Sequence, residues 1–486
     1  MEKSLFKNFL YKLVLSFFNV IVPVLVIPYI YRVVGSGGIG RVDYANSIFM
    51  YFFLIGGLGI YSYGMREVSA ARDNPEKIKG LFSSLLVIAV ISNMLALSAF
   101  ALFVFVTSPA RDVQLLLLIL GANFLSNVIY VEWLNEAFEN FGFITVKTVA
   151  VRLLSVAALF LFVRSPSDAW VYLSVMTAYT FVNNLASFAW IGRKAGFSLR
   201  AVSLRGHIRP LLYITVMTNG WLLYGQLDRL FLGTYASMDE VAFYGAASKI
   251  IDILFPLLMA VVAVTAPRLS YYLAADRRNY DELVKKIAAM AMFVMIPASV
   301  GVFMLSDEII FVLGGAQFAP ASVALKVLAF DMTILAVERL LTNNVLFIFR
   351  KERLLNVIII GFGVVNLAAK YLMKGRLTAV NALAVMVAVH LSLTAVQYIY
   401  AERKLEVSLG IFCRRNLFYA AVSLLFVPVV LGVKHFVAAP IPAAAVSAAA
   451  CGAIYWAALF AFKDANLLLL HEKGFSMLRS LTGRAR

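Results

Sequence analysis

Two neighbouring stretches near the start of the chain decide the fold: YKLVLSFFNVIVPVLVIPYIYRVV, residues 11–34, and VDYANSIFMYFFLIGGLGIYSYG, residues 42–64. A helix needs about 20 mostly apolar residues to cross a hydrocarbon core roughly 30 Å thick. Both stretches reach that length and carry charge only near their ends. Working outward, the same pattern recurs at 81–106, 113–131, 144–163, 169–191, 210–234 and 241–265. It continues at 287–305, 326–348, 354–372, 379–401, 417–437 and 441–462, which predicts an all-α integral membrane protein of about fourteen spans. Composition agrees. Of the 486 residues, 62% are hydrophobic and 14% charged, against roughly 25% charged in soluble domains. Mean hydropathy is +0.87. Those figures exclude an ordinary soluble enzyme, a disordered chain and a disulfide scaffold. The two cysteines, Cys413 and Cys451, form no metal or redox motif.

A net charge of +17 from 43 basic and 26 acidic residues could suit nucleic acid, but its placement argues otherwise. With the N-terminus inside, cytoplasmic segments hold 30 Lys/Arg and external ones 8. That asymmetry is the positive-inside rule. It predicts both termini in the cytoplasm, the lipid bilayer as the surrounding partner and no nucleic acid. Lys3, Lys7 and Lys12 resemble the start of a secretory signal, yet the apolar run to Val34 is too long and lacks a small-x-small site. The run reads as the first span of the mature chain. The longest non-membrane stretches, 192–209, 266–286 and the tail from Lys463, are too short for a soluble domain.

The chain also weakly repeats itself. Tyr44-Ala45-Asn46-Ser47 faces Tyr244-Gly245-Ala246-Ala247, and Arg66-Glu67-Val68-Ser69 faces Arg268-Leu269-Ser270. Arg32 precedes Gly35 as Arg229 precedes Gly233. Six spans per half would give both halves one orientation, with a substrate site between them near the midplane. The expected organisation is an N-terminal six-helix lobe at 1–195 and a cytoplasmic linker at 196–209. A C-terminal lobe follows at 210–405, then two extra helices with a basic tail at 406–486.

The most distinctive local pattern runs Pro28-Tyr29-Ile30-Tyr31-Arg32-Val33-Val34-Gly35, Ile39-Gly40, Tyr44-Ala45-Asn46-Ser47-Ile48, Leu58-Gly59-Ile60 and Tyr63-Gly64-Met65-Arg66-Glu67. It resembles the N-terminal region of the Wzx-type polysaccharide flippases of the multidrug/oligosaccharidyl-lipid/polysaccharide exporter superfamily. The resemblance implies two six-helix lobes in a V-shaped pseudo-twofold arrangement. It further implies a bacterial inner-membrane transporter, without cofactor or catalysis, that moves undecaprenyl-diphosphate-linked oligosaccharide from the cytoplasmic to the periplasmic leaflet. A polysaccharide polymerase and a chain-length regulator would be further partners. Usual members have twelve spans and lipid II flippases fourteen, so the span count leaves the subfamily open. A multidrug organic-cation antiporter is the rival within the superfamily. A membrane polymerase is disfavoured by the absence of a sizeable external loop. No Walker A, D-x-D or HExxH motif occurs.

Charges inside the spans carry the functional reading, because each costs about 2.5–3.5 kcal/mol at the bilayer centre. Five cations (Arg152, Arg229, Lys249, Arg339, Lys370) sit beside five acids (Asp43, Asp228, Asp252, Asp331, Glu338). A diphosphate headgroup needs compensating cations, and arginine matches phosphate oxygens bidentately. Arg32, Arg229 and Lys249 are the leading candidates for substrate contact, followed by Arg152 and Lys370. Asp43, Asp228 and Asp252 are candidates for coupling an H+ or Na+ gradient, unless they serve only in helix-to-helix ion pairs. Lys249 and Asp252, three residues apart, could pair on one helical face. Asp228–Arg229 and Glu338–Arg339 are sequence neighbours pointing about 100° apart and should need separate partners. Asp331, Glu338 and Arg339 read as structural pairs and His390 as a hydrogen-bonded structural group, with Glu132, Glu136 and Glu139 as a solvated cytoplasmic face. Pro23, Pro28, Gly56, Gly57, Gly59, Pro256 and Pro297 mark bends, tolerable only where neighbours satisfy the freed carbonyls.

Overall fold

The computed structural model describes residues 5–107, 109–192, 195–219, 222–263, 265–464 and 466–467. Lys3, Arg193, Lys194 and the basic tail from 468, which enter the charge argument, lie outside the described residues. All regular elements among the described residues are helical. In order they are α1 (Leu5–Gly57), α2 (Ile60–Ala70), α3 (Pro75–Thr107), α4 (Arg111–Val128), α5 (Glu132–Ala137), α6 (Phe141–Phe162) and α7 (Ala169–Ser187). Next come α8 (Arg205–Asn219), α9 (Leu222–Tyr235), α10 (Met238–Ala263), α11 (Ala266–Ala275), α12 (Arg277–Met304) and α13 (Ser306–Gly314). The chain closes with α14 (Ala321–Leu340), α15 (Glu352–Leu372), α16 (Ala379–Lys404), α17 (Arg414–Leu424), α18 (Phe426–Phe436) and α19 (Pro440–Ala461).

Among the described residues, ten helical segments are long and apolar enough to cross a membrane. The count falls below fourteen for physical reasons. The first two apolar stretches share one segment, Leu10–Ala70. α14 carries Lys326, Asp331, Glu338 and Arg339. α7 is interrupted by polar Thr177, Thr180, Asn183 and Asn184, and the stretch 210–234 is divided between α8 and α9.

Two compact units divide the chain: Met1–Gly245 with Lys374–Leu377, and Ala246–Met373 with Thr378–Arg486. In the first, side-chain contacts fix helix directions. Tyr11 and Tyr29 of α1 meet Thr145 and Val163, so this arm runs parallel to α6. Lys147 and Arg152 of α6 meet Ser187 and Tyr179, so α6 opposes α7. Asn123 and Ser126 of α4 meet Thr177 and Asn184, making α4 and α7 parallel. Asn93 and Phe100 of α3 meet Asn127 and Phe124, so α3 opposes α4. The second arm of α1 opposes α3, since Gly56 meets Asn93 while Phe49 meets Phe100. The two arms of α1 therefore run in opposite directions.

The reversal takes place at Gly35, whose φ of 76° and ψ of 170° interrupt otherwise continuous helix. A turn of several residues over 35–41 is expected from the sequence; one left-handed glycine replaces it. Gly38 leaves room for the Val34 side chain one turn back, where a Cβ would come within 2.5 Å, and Ser36 donates to Asp239 as the helix resumes. At the other end, α1 breaks at Leu58 and Gly59, both with positive φ. The freed Gly56 carbonyl accepts from Ser92 Oγ at 2.8 Å and Asn93 Nδ2 at 3.1 Å, the compensation a break inside a membrane requires.

Beyond that break a small core gathers α2, α5, the start of α3 and the start of α8. Trp133 is almost fully buried in it, with Gly64 flat against the indole: a Cβ there would come within 2.7 Å of the ring. Gly64→Ala should destabilise the protein by about 1–3 kcal/mol through overpacking. A lowered thermal midpoint of the detergent-solubilised variant checks this, and an unchanged one counts against it. Tyr63 hydroxyl and His207 Nδ1 lie 2.7 Å apart beside the same core. Burial pushes His207 below the ordinary histidine range, opposed by nearby Glu67. Protonation therefore favours the unfolded chain, and stability is lost as pH falls through about 6.5, the unfolded value. The thermal midpoint should drop between pH 7.5 and 5.5, and by less in His207→Gln.

In the second unit, Ser299–Thr333 at 2.8 Å sets α12 against α14, and Tyr280 donates to the Asn344 carbonyl at 2.8 Å just beyond it. The C-terminal helices attach to α12 through Phe293, Tyr419, Phe426 and Tyr455. The Tyr455 hydroxyl donates to the Phe293 carbonyl at 2.8 Å.

Candidate functional site

Charged groups collect where the second arm of α1 meets α9 and the start of α10. Small residues allow that approach. A Cβ on Gly40 would strike the Met238 carbonyl, one on Gly233 the Tyr44 ring, and one on Gly245 the Asp43 carboxylate. Ser47 donates to the Gln226 side-chain oxygen at 2.9 Å. Tyr44 and Thr234 hydroxyls lie 3.3 Å apart. Asp228 is fully buried and accepts from the Tyr244 hydroxyl at 3.0 Å. The Arg229 guanidinium stands 5.7 Å from the centre of the Tyr244 ring, a cation–π distance. Asp43, Asp228 and Arg229 thus surround Tyr244 and Gly245. The arrangement places a fork-shaped cation and two carboxylates inside an apolar bundle. It can bind an oxyanion, exchange a proton, or do both.

Arg152 of α6 donates to Asn19 at 2.5 Å and Tyr179 at 3.2 Å. Arg32 is exposed on the first arm of α1, and Lys249 and Asp252 are exposed on α10. Lys370 of α15 is 1% exposed, one helical turn from buried Asn366.

Two expectations need correction. Glu132, Glu136 and Glu139 do not form a solvated face. Glu132 holds Lys147 through both carboxylate oxygens at 3.0 Å, with side chains 13% and 4% exposed. Ser187 bridges the pair at 2.6 Å from Lys147 and also donates to Glu132. Glu136 accepts from Tyr61 at 2.8 Å, and Glu139 pairs with Arg72 at 3.0 Å. The bend between α4 and α5 turns these acids toward neighbouring helices. Lys147 lies within the apolar stretch 144–163, a signal that could have singled it out. Glu338 and Arg339 do not need separate partners: flexible side chains bring Arg339 Nε to 3.6 Å from Glu338. Asp331 and His390 meet at 2.9 Å, in keeping with structural roles for both.

Comparison with known proteins adds the following. A family model described as "Polysaccharide biosynthesis protein" matches residues 5–273. The chain is similar to the "Putative O-antigen transporter" of Escherichia coli K12, 22% identical over 293 residues that cover 58% of this chain and 69% of the relative. It is also similar to the "Probable low-salt glycan biosynthesis flippase" of Haloferax volcanii, 25% identical over 192 residues covering 38% and 40%. Among solved structures, a lipid II flippase, MurJ, in an inward closed conformation superposes with a TM-score of 0.71. It covers 94% of this chain and 99% of its own at 14% identity, a likeness of fold.

Proposed function

We propose, from the premise that the chain belongs to the polysaccharide biosynthesis protein family, that this multi-pass membrane protein is a lipid-linked oligosaccharide flippase. It moves an undecaprenyl-diphosphate-linked repeat unit from the cytoplasmic to the periplasmic leaflet of the bacterial inner membrane by alternating access. One observation carries the reading: within the helical bundle, the Arg229 guanidinium sits over Tyr244 beside buried Asp228. A diphosphate crossing hydrocarbon is prohibitively costly unless cations accompany it, and a guanidinium supplies bidentate contacts. Arg229 is the principal phosphate contact, with Arg32 and Lys249 as its companions and Arg152 and Lys370 as secondary ones. Asp228 and Asp43, with Asp252, bind the coupling H+ or Na+ that resets the transporter. The chain performs no bond chemistry; a polysaccharide polymerase and a chain-length regulator use its product. The reversal at Gly35 and the break at Leu58–Gly59 supply points where helices pivot.

The test is a deletion strain. Lipid-linked oligosaccharide should accumulate facing the cytoplasm while surface polysaccharide disappears, and the wild-type gene should restore both. Normal surface polysaccharide with a newly acquired drug sensitivity would point to an organic-cation antiporter instead.

A further inference from the structure

A cavity of about 460 Å3 lies inside the first unit, between the second arm of α1, α4 and α7. Its lining is mostly apolar, with uncharged polar groups set into it. Amides come from Asn46, Asn123, Asn127 and Asn184, and hydroxyls from Thr177 and Thr180. Phe49, Phe53 and Tyr130 supply ring surface. The residues recur at helical spacing on each element, so three helices each present one stripe to a shared space. Much of the donor capacity is already committed. Asn123 donates to Thr177 at 3.3 Å, Asn127 to Asn93 at 3.0 Å, and Asn184 to the Ser126 hydroxyl at 3.0 Å. The Thr180 hydroxyl donates to the Met176 carbonyl. These bonds hold the amides in place and leave side-chain oxygens to accept, with a second N–H each on Asn123 and Asn127 to donate.

The volume lies in the range of small-molecule sites, where a few placed polar groups orient a ligand against apolar walls. Among the described residues, no Lys, Arg, Asp or Glu lines the space, so a phosphate would find no counter-charge from them. A hydroxyl-rich neutral ring fits on every count: its O–H groups donate to amide oxygens while its C–H faces pack on aromatic rings. The cavity also adjoins the charged cluster. Asn46 precedes Ser47, whose hydroxyl reaches Gln226 of α9.

We propose that this chamber receives a sugar ring of the lipid-linked oligosaccharide, and so reads the carbohydrate while the basic groups hold the diphosphate. The assignment rests on the flippase reading above and adds a specificity site to it.

The experiment uses the full chain in proteoliposomes, with Cys413→Ala and Cys451→Ala as background and Thr180→Cys as reporter for maleimide labelling. Two probes are compared: lipid-linked oligosaccharide extracted from the producing strain, and undecaprenyl diphosphate without sugar. The sugar-bearing lipid should slow labelling at least tenfold, and the bare lipid should leave it unchanged. Equal protection by both, or none by the sugar-bearing lipid while the protein transports it, overturns the chamber. If the wild-type chain moves no lipid-linked oligosaccharide at all, the flippase reading falls with it. In parallel, Asn123→Leu with Thr177→Val should raise the substrate concentration for half-maximal flipping at least tenfold at near-normal abundance. If that pair impairs folding, the labelling result decides.

Discussion

Lys147→Met should lose about 3–5 kcal/mol of stability, enough to remove most of the protein from the membrane. The reason lies in what stays behind. Glu132 faces the bundle with its side chain only 13% exposed, and Lys147 supplies its counter-charge at 3.0 Å. Removing the ammonium strands a carboxylate among Trp133, Leu134 and their neighbours, where its charged form is poorly solvated. The pair itself adds less than the cost of breaking it, since both ions were desolvated to form it. Lys147→Met with Glu132→Leu should therefore recover much of the lost abundance, as a neutral, packed pair. Expression level and thermal midpoint of the single and double variants check the prediction. A double variant as poor as the single would mean that Ser187 and the α5–α7 packing, rather than the stranded charge, set the stability.

Arg229→Ala carries the second large effect, on transport instead of stability. The guanidinium of half-buried Arg229 lies over Tyr244, and activity is compared at equal membrane abundance. Flipping should fall by two orders of magnitude or more, because about 3 kcal/mol is the scale of a charge-assisted hydrogen bond to phosphate. Arg229→Lys should recover only part of the activity, since an ammonium is a point charge without the planar fork. Asp112→Asn, at a largely exposed ion pair with Arg41, is the matched control and should behave like wild type. Equal activity of Arg229→Lys and wild type would remove the bidentate phosphate contact from the account.

Much of the helix layout was legible because hydrocarbon solvation imposes a length and a polarity that sequence displays directly. Asp43, Asp228 and Arg229 were legible for the same reason: a charge in an apolar run is conspicuous. Gly35 was not, since Gly-Ser-Gly-Gly reads as a loop, and the helix that resumes immediately is tied by a long-range bond from Ser36 to Asp239. The Glu132–Lys147 pair was missed because it depends on the bends around α5, where Glu139 adopts a positive φ. Neutral amides and hydroxyls spread over three helices carry no local signature, so the chamber emerges only when those helices are assembled. The Tyr63-Gly64-Met65-Arg66-Glu67 motif, prominent in the resemblance, serves packing: Gly64 seats Trp133 and Tyr63 meets His207.

The most direct test reconstitutes the purified protein in liposomes with fluorescent lipid-linked oligosaccharide and measures its movement between leaflets under an imposed ion gradient. Wild type should accelerate exchange strongly, and Arg229→Ala, at equal incorporation, should approach protein-free liposomes. Exchange by Arg229→Ala at the wild-type rate would contradict the account.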